Sequence, residues 1–87
     1  MDEMIDFSEA LKMLKAGRKI HREGWNGKGL WLEIQRPDDK SEMNLPYIFI
    51  NYPESPKNPT GIRVPWLASQ TDLLADDWLI GGNYSSM

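Results

Sequence analysis

Cysteine is absent from this sequence, and histidine occurs once, as His21. Without a thiol the chain has no disulfide, no thiolate nucleophile and no cysteine-ligated zinc. A single histidine also gives a Ser–His–Asp triad little to build on. We therefore expect a non-enzymatic protein with no catalytic residue, no bound metal and no cofactor. An enzyme that uses His21 or the aspartates near the end of the chain stays open as an alternative.

Long apolar runs are missing as well. No stretch approaches the roughly 18 apolar residues that a membrane helix needs. The chain starts with Met1-Asp2-Glu3, an acidic segment unlike the basic start of a secretory signal peptide. These features predict a soluble protein of the cytoplasm that has no membrane partner.

The chain also lacks an excess of positive charge, because its formal net charge is −3. Proteins that bind nucleic-acid polymers depend on many phosphate contacts from Lys and Arg, so we expect no such partner here. The charge is unevenly distributed, however, which keeps a small local anion site possible. Four cations lie close together along the chain: Arg18, Lys19, Arg22 and Lys28.

At 87 residues the chain has the length of one small domain. We predict a single domain over 1–87, in which 81–87 form a flexible tail. A domain of this size builds one modest core and has little material left to enclose a ligand as large as a nucleotide. Any pocket for such a ligand is therefore expected to be shared between subunits.

What the chain does contain predicts an α+β fold. A helix is indicated by apolar residues at the spacing of one buried face: Phe7, Ala10, Leu11 and Leu14. Asp6 is its expected N-cap with Glu9 completing a capping box, Ser8 is a rival cap, and Gly17 ends the helix. Strands are predicted at 18–23, 30–35, 47–51, 62–64 and 78–80, with loops at 36–46 and 52–61.

In the third quarter of the chain, Pro65 is expected to end a strand. A capping box formed by Ser69 and Asp72 then begins a second short helix that runs through Ala75. Together these elements predict an N-terminal helix packed on a small, mostly antiparallel sheet, with the second helix just before the last strand.

The segment 22–29 combines three glycines with functional side chains. Glycine allows consecutive backbone N–H groups to point at one anion, and Lys28 adds a positive charge to such a site. Trp25 offers a flat face, and Asn26 offers both a hydrogen-bond donor and an acceptor. The alternative interpretation is a tight hairpin around Asn26-Gly27 that needs glycine only for its shape.

The segment 64–78 places Trp66 just before the second helix. A helix N-terminus attracts phosphate, although Ser69 and Asp72 use part of its donors as caps. Trp78 is predicted to lie in the core. An alternative is a metal site formed by Asp72, Asp76 and Asp77, but acidic residues at such a spacing usually form a solvated face.

The two segments together resemble the second type of Thoeris anti-defence protein, a family of phage and bacterial proteins. The similarity covers residues 7–32 and 62–80. It implies a sponge, which binds a glycocyclic ADP-ribose immune signal in the infected bacterial cell without cleaving it. Some members also capture cyclic dinucleotides. The family's members are homo-oligomers, with a tetramer expected here, and their ligand pockets lie at subunit contacts.

The resemblance also implies the site. Trp25 and Trp66 would contact the rings of the ligand, and either Lys28 or Arg22 would face its pyrophosphate. The remaining ligand-binding positions are Asn26, Gly27, Ser69, Gln70, Thr71 and Asp72. Residues 36–61 show no resemblance that can be aligned. A different function stays open, in which the chain is a protein-binding inhibitor or a small phage structural module that uses an exposed Trp31.

Overall fold

The computed structural model describes residues 3–25 and 29–81. Two α-helices, a short 3-10 helix and five strands follow one another along the chain. In order, they are α1 (Phe7–Lys15), β1 (Ile20–Arg22), the 3-10 helix (Glu23–Trp25), β2 (Trp31–Gln35), β3 (Tyr47–Tyr52), β4 (Ile62–Pro65), α2 (Gln70–Leu73) and β5 (Trp78–Ile80).

Helix α1 begins and ends where its sequence predicts. The carboxylate of Asp6 accepts a hydrogen bond from the backbone N–H of Glu9 at 3.0 Å, so Asp6 is the N-cap and Ser8 lies inside the helix. At the other end Gly17 adopts φ +91°, and its N–H bonds to the carbonyl of Leu14. The N–H of Arg18 reaches back to the carbonyl of Met13, which completes a Schellman motif.

The five strands form one sheet in the order β4-β3-β2-β1-β5, and neighbouring strands are antiparallel. Strands β1 and β2, which were predicted to form a hairpin, do pair, with Ile20 opposite Leu32. The turn residues 26–28 lie outside the described part of the chain. The predicted α+β class is confirmed, including the short helix before the last strand.

Alternation along the strands separates a core face, which α1 covers, from the opposite face. A row of apolar residues crosses the sheet from Ile20 through Leu32 to Ile50, and all three are buried. Helix α1 covers this row with Ala10 and Leu14, neither of which is exposed to solvent. Burial of these side chains stabilises the fold by roughly 25 cal/mol per Å² of apolar surface removed from water.

Trp31 lies on the opposite face of β2, as its alternation with Leu32 predicts. Its indole N–H donates to the carboxylate of Glu33 at 2.9 Å, and the ammonium group of Lys19 lies 4.6 Å from the ring centroid. The indole is only half-buried, so the face of the sheet opposite α1 carries a partly exposed aromatic surface.

The boundaries near Pro65 and Ala75 differ from the predictions. Pro65 is the last residue of β4 rather than its terminator, because its missing N–H lies on the side of the strand that faces away from β3. Helix α2 ends at Leu73 with Leu74 as its C-cap. The indole N–H of Trp78 donates to the carbonyl of Asp72 at 3.0 Å, so a side chain satisfies part of the helix end.

The two edge strands of the sheet, β5 and β4, differ in how far they are covered. Beyond β5, Ile5 forms a two-way backbone bridge to Trp78, with N–O distances of 2.8 and 3.0 Å. Strand β4 forms the other edge, and its four residues are exposed. Within residues 3–25 and 29–81, no helix is long and apolar enough to cross a membrane.

Candidate functional site

Trp78 lies at the centre of a cluster of four aromatic side chains. Its ring centroid lies 5.3 Å from that of Phe7, 5.6 Å from that of Trp25 and 6.1 Å from that of Trp66. Trp78 itself is fully buried, which confirms its predicted place in the core. The segments that carry Trp25 and Trp66 are distant in sequence, so Trp78 is the residue that brings them together.

Trp25 and Trp66 both meet Trp78 edge to face, at interplanar angles of 81° and 89°. Each is half-buried, so each indole keeps part of its surface in contact with solvent. Trp25 is the last residue of the 3-10 helix, and Trp66 is anchored by a backbone hydrogen bond of 2.9 Å to the carbonyl of Ile48. The structure therefore holds two partly accessible indoles on one rigid support.

Arg22 forms two ion pairs beside this cluster. Its Nε donates to Asp77 and its Nη1 donates to Asp72, both at 2.9 Å. The side chains of Arg22, Asp72 and Asp77 are 20%, 14% and 26% exposed, respectively. The guanidinium carbon also lies 6.0 Å from the ring centroid of Trp78. Because Arg22 belongs to β1, these bonds tie α2 and the residue just before β5 to that strand.

The capping box at the start of α2 is complete. The hydroxyl of Ser69 accepts from the N–H of Asp72 at 3.1 Å, and the carboxylate of Asp72 accepts from the N–H of Ser69 at 2.9 Å. Thr71 joins through a 2.8 Å hydroxyl contact with Ser69. The cap thus occupies donors that the sequence interpretation offered to a phosphate, and Asp72 has a structural partner on each carboxylate oxygen.

Hydrogen bonds within the cluster of Arg22, Asp72 and Asp77 stabilise the charged form of each side chain. Burial alone would raise the pKa of Asp72, but hydrogen bonds from Ser69 and Arg22 outweigh it and lower that pKa. The pKa of Asp77 is lowered in the same way, since the bonds from Arg22 and Gly24 exceed the effect of burial. The pKa of Arg22 is raised, chiefly by its hydrogen bond to Asp77. The cluster therefore carries one positive and two negative charges at neutral pH.

Two comparisons identify the family. A family model described as the Thoeris anti-defense 2-like domain matches residues 5–81. Thoeris anti-defense 2 of Bacillus phage SP01 is 34% identical over 86 residues, which cover 90% of this chain and 96% of the relative. The chain belongs to the Thoeris anti-defense 2-like family. The match confirms the resemblance found in the sequence, and it extends through residues 36–61, where no alignment was found from the sequence.

The fold of this Thoeris anti-defense 2-like protein brings several predicted site residues together. Trp25 and Trp66 contact Trp78, while Arg22 lies beside the same ring and bonds to Asp72. Ser69, Gln70 and Thr71 are exposed at the start of α2. Three further predicted residues, Asn26, Gly27 and Lys28, lie outside the described residues.

Asp77 is the residue of this family member that sequence reasoning did not place in the site. The sequence placed it in an acidic group with Asp72 and Asp76, whereas the structure pairs it with Arg22 and with the N–H of Gly24. Arg22 and Asp77 are 55 positions apart, so no local spacing signals their contact. Only the antiparallel register that sets Arg22 opposite Trp78 brings them side by side.

The structure also shows the surroundings of the titratable residues on which the metal-site and enzyme alternatives depend. Within residues 3–25 and 29–81, no group of three or more His, Asp or Glu side chains is arranged to hold a metal. Two members of the acidic group, Asp72 and Asp77, are bonded to Arg22 instead. His21 is buried, with its Nδ1 atom 2.7 Å from the carbonyl oxygen of Gly81.

A separate groove of about 450 Å³ lies where β3 begins, and no predicted site residue lines it. Its lining is mostly apolar and comes from the loop before β3 and from the end of β4: Met43, Asn44, Leu45, Pro46, Tyr47 and Pro65.

Proposed function

We propose that this protein binds glycocyclic ADP-ribose tightly and sequesters it from a Thoeris immune system, without cleaving it. The observation that carries the proposal is the pair of half-buried indoles, Trp25 and Trp66, held on Trp78. Flat aromatic surfaces stack on purine rings. Membership of the Thoeris anti-defense 2-like family supports a role against this defence system.

The energetics of such a site are adequate for sequestration. Stacking of one base on an aromatic side chain contributes about 1–3 kcal/mol. A sponge that works at sub-micromolar signal concentrations needs about −8 kcal/mol of binding free energy. Two indole contacts supply part of this, and charge-assisted hydrogen bonds to phosphate supply more. No chemical step is required, so the site needs no nucleophile.

The ionised carboxylates define the polar side of the proposed site. Asp72 and Asp77 outnumber the charge of Arg22, so phosphate at this cluster would meet net negative charge. Carboxylates are hydrogen-bond acceptors, which suits the hydroxyl groups of a ribose better than a phosphate. We accordingly propose that Asp72 faces ribose hydroxyls and that Lys28, by resemblance, binds the phosphates. By resemblance, the proposed set is completed by Asn26, Gly27, Ser69, Gln70 and Thr71.

We further propose that the functional form is a homo-oligomer, with a tetramer as its expected size and pockets at the subunit contacts. Two leucines on either side of α2 support this arrangement, since Leu67 is 91% exposed and Leu74 is 79% exposed. Leu67 follows Trp66 directly, so a second subunit that covers it would lie close to that tryptophan in the chain. Native mass spectrometry tests the assembly, and a monomer at micromolar concentration would contradict it.

Calorimetry with glycocyclic ADP-ribose tests the ligand. We expect sub-micromolar binding by the unmodified protein. The variant Trp31→Ala is the matched control, because it removes an indole from the opposite face of the sheet and should leave affinity unchanged. After binding, heating the complex should release ligand of unaltered mass. No detectable binding would refute the proposed ligand, and recovery of a cleaved product would refute sequestration.

A further inference from the structure

The carboxylate of Asp77 bonds to both ends of the turn that leads into Trp25. Its Oδ1 atom accepts from Nε of Arg22 and its Oδ2 atom accepts from the N–H of Gly24, both at 2.9 Å. The carbonyl of Asp77 also accepts from the N–H of Glu23 at 2.9 Å. One residue therefore fixes three consecutive positions, 22 to 24, immediately before the indole of Trp25.

The contact with Gly24 depends on close approach. A Cβ atom at position 24 would lie 3.1 Å from Oδ2 of Asp77 and 3.7 Å from Nη2 of Arg22. The first distance is shorter than an ordinary contact, so an alanine side chain at this position would push the carboxylate of Asp77 away by a few tenths of an ångström. The next residue along, Trp78, contacts the ring of Trp25. Asp77 and Trp78 thus hold the backbone and the ring of the same short helix.

We infer that Asp77 is a positioning residue, which sets the orientation of Trp25 in the ligand site without contacting the ligand. This inference rests on the proposed function. Both carboxylate oxygens are needed because each accepts from a different donor. An asparagine offers one acceptor oxygen and an NH₂ group, so it would turn a donor toward either Arg22 or Gly24. Loss of either bond loosens the turn that carries Trp25.

The first test compares Asp77→Asn with Asp76→Asn. Both variants remove one negative charge, but Asp76 is exposed and is not part of the Arg22 cluster. We expect Asp77→Asn to raise the Kd for glycocyclic ADP-ribose about tenfold, because it removes a hydrogen bond from a charged group. Asp76→Asn should leave the Kd within about twofold, since a surface substitution has a small effect. A folded Asp77→Asn protein with unchanged affinity would overturn the inference.

A double-mutant cycle asks whether Asp77 acts through Trp25. If it does, Asp77→Asn should have little further effect on the Kd in a Trp25→Ala background. Additive losses would overturn the inference. Should Asp77→Asn fail to fold, Gly24→Ala disturbs the same contact from the other side, and it should weaken binding comparably.

A measurement without ligand separates this inference from the proposed function. In the ¹⁵N-labelled protein, Asp77→Asn should shift the indole resonance of Trp25 and speed amide exchange at Gly24, whereas Asp76→Asn should do neither. If the unmodified protein does not bind glycocyclic ADP-ribose, the proposed function fails. The spectra then still test the positioning, and unchanged signals at Trp25 and Gly24 would overturn it.

Discussion

Trp66 and Trp78 meet with their ring planes at 89° and their centroids 6.1 Å apart. The geometry is that of an edge-to-face pair, which is stabilised by the opposite charges of a ring edge and a ring face. One ring of the pair is fully buried and the other is half-buried. The two indoles therefore differ in exposure, since Trp78 is enclosed by the fold and Trp66 keeps part of its surface accessible to solvent.

Removal of Trp78 should damage the fold severely. Trp78→Ala leaves a cavity among Phe7, Trp25 and Trp66, so we expect it to lower the free energy of unfolding by about 3–5 kcal/mol. Urea denaturation followed by circular dichroism measures the change. A loss below 1 kcal/mol would contradict the central place of this indole.

Removal of Trp25 should act mainly on binding. We expect Trp25→Ala to weaken glycocyclic ADP-ribose binding at least tenfold, because one stacked contact is worth about 1–3 kcal/mol. Its effect on unfolding should be smaller than that of Trp78→Ala, since Trp25 is only half-buried. Calorimetry and urea denaturation on the same preparation separate the two effects. If the Trp25→Ala protein does not fold, Trp25 is a structural residue of the core and the prediction is wrong.

Acid should destabilise the protein through Asp72 and Asp77. Their pKa values are lower in the folded chain than in the unfolded chain, so the unfolded state binds protons first as the pH falls. The stability that they contribute is complete above the unfolded aspartate pKa of about 4 and is lost as the pH falls through the folded values. Urea denaturation at neutral pH and at about pH 3 measures this loss. Asp77→Asn should show a smaller drop, and an equal drop would exclude Asp77 as a contributor.

Gly61 and Gly17 form a matched pair for substitution by alanine. Both have positive φ, +76° and +91°, so a Cβ atom is strained at either position. At Gly61 the Cβ would also lie 2.7 Å from the carbonyl oxygen of Tyr52, whereas at Gly17 it would meet nothing within 4 Å. We expect Gly17→Ala to cost about 1–2 kcal/mol of unfolding free energy, and Gly61→Ala to cost more. Equal losses would show that the backbone near Tyr52 yields to the new atom.

Local signals in the sequence predicted most of the fold. The cap at Asp6, the end at Gly17 and the alternation around Leu32 are read from neighbouring residues, and the structure confirms all three. The bonds of Arg22 could not be predicted in this way. Its partners lie 50 and 55 positions away, and they meet it only after β1 and β5 pair.

Only part of the candidate site was predicted, because some of its features are local in sequence and others depend on long-range contacts. A tryptophan in a glycine-rich segment or before a helix cap suggests a ligand contact, because flat faces and free backbone groups are local properties. That Trp25 and Trp66 rest on the same buried ring is a property of the folded chain. The sequence predicted Trp78 as a core residue, but nothing in its neighbours indicates what it supports.

Pro65 limits how well the β4 edge of the sheet can pair with a strand of another molecule. The N–H of Trp66 bonds to Ile48, so by alternation the backbone groups of Arg63 and Pro65 point away from the sheet. Of these two residues only Arg63 has an N–H to donate, and its side chain adds a charge. A rim built this way is a poor template for further strands, which protects a concentrated protein from growing into fibrils. Copies that associate would then do so through side chains, which favours closed and finite assemblies over open ones.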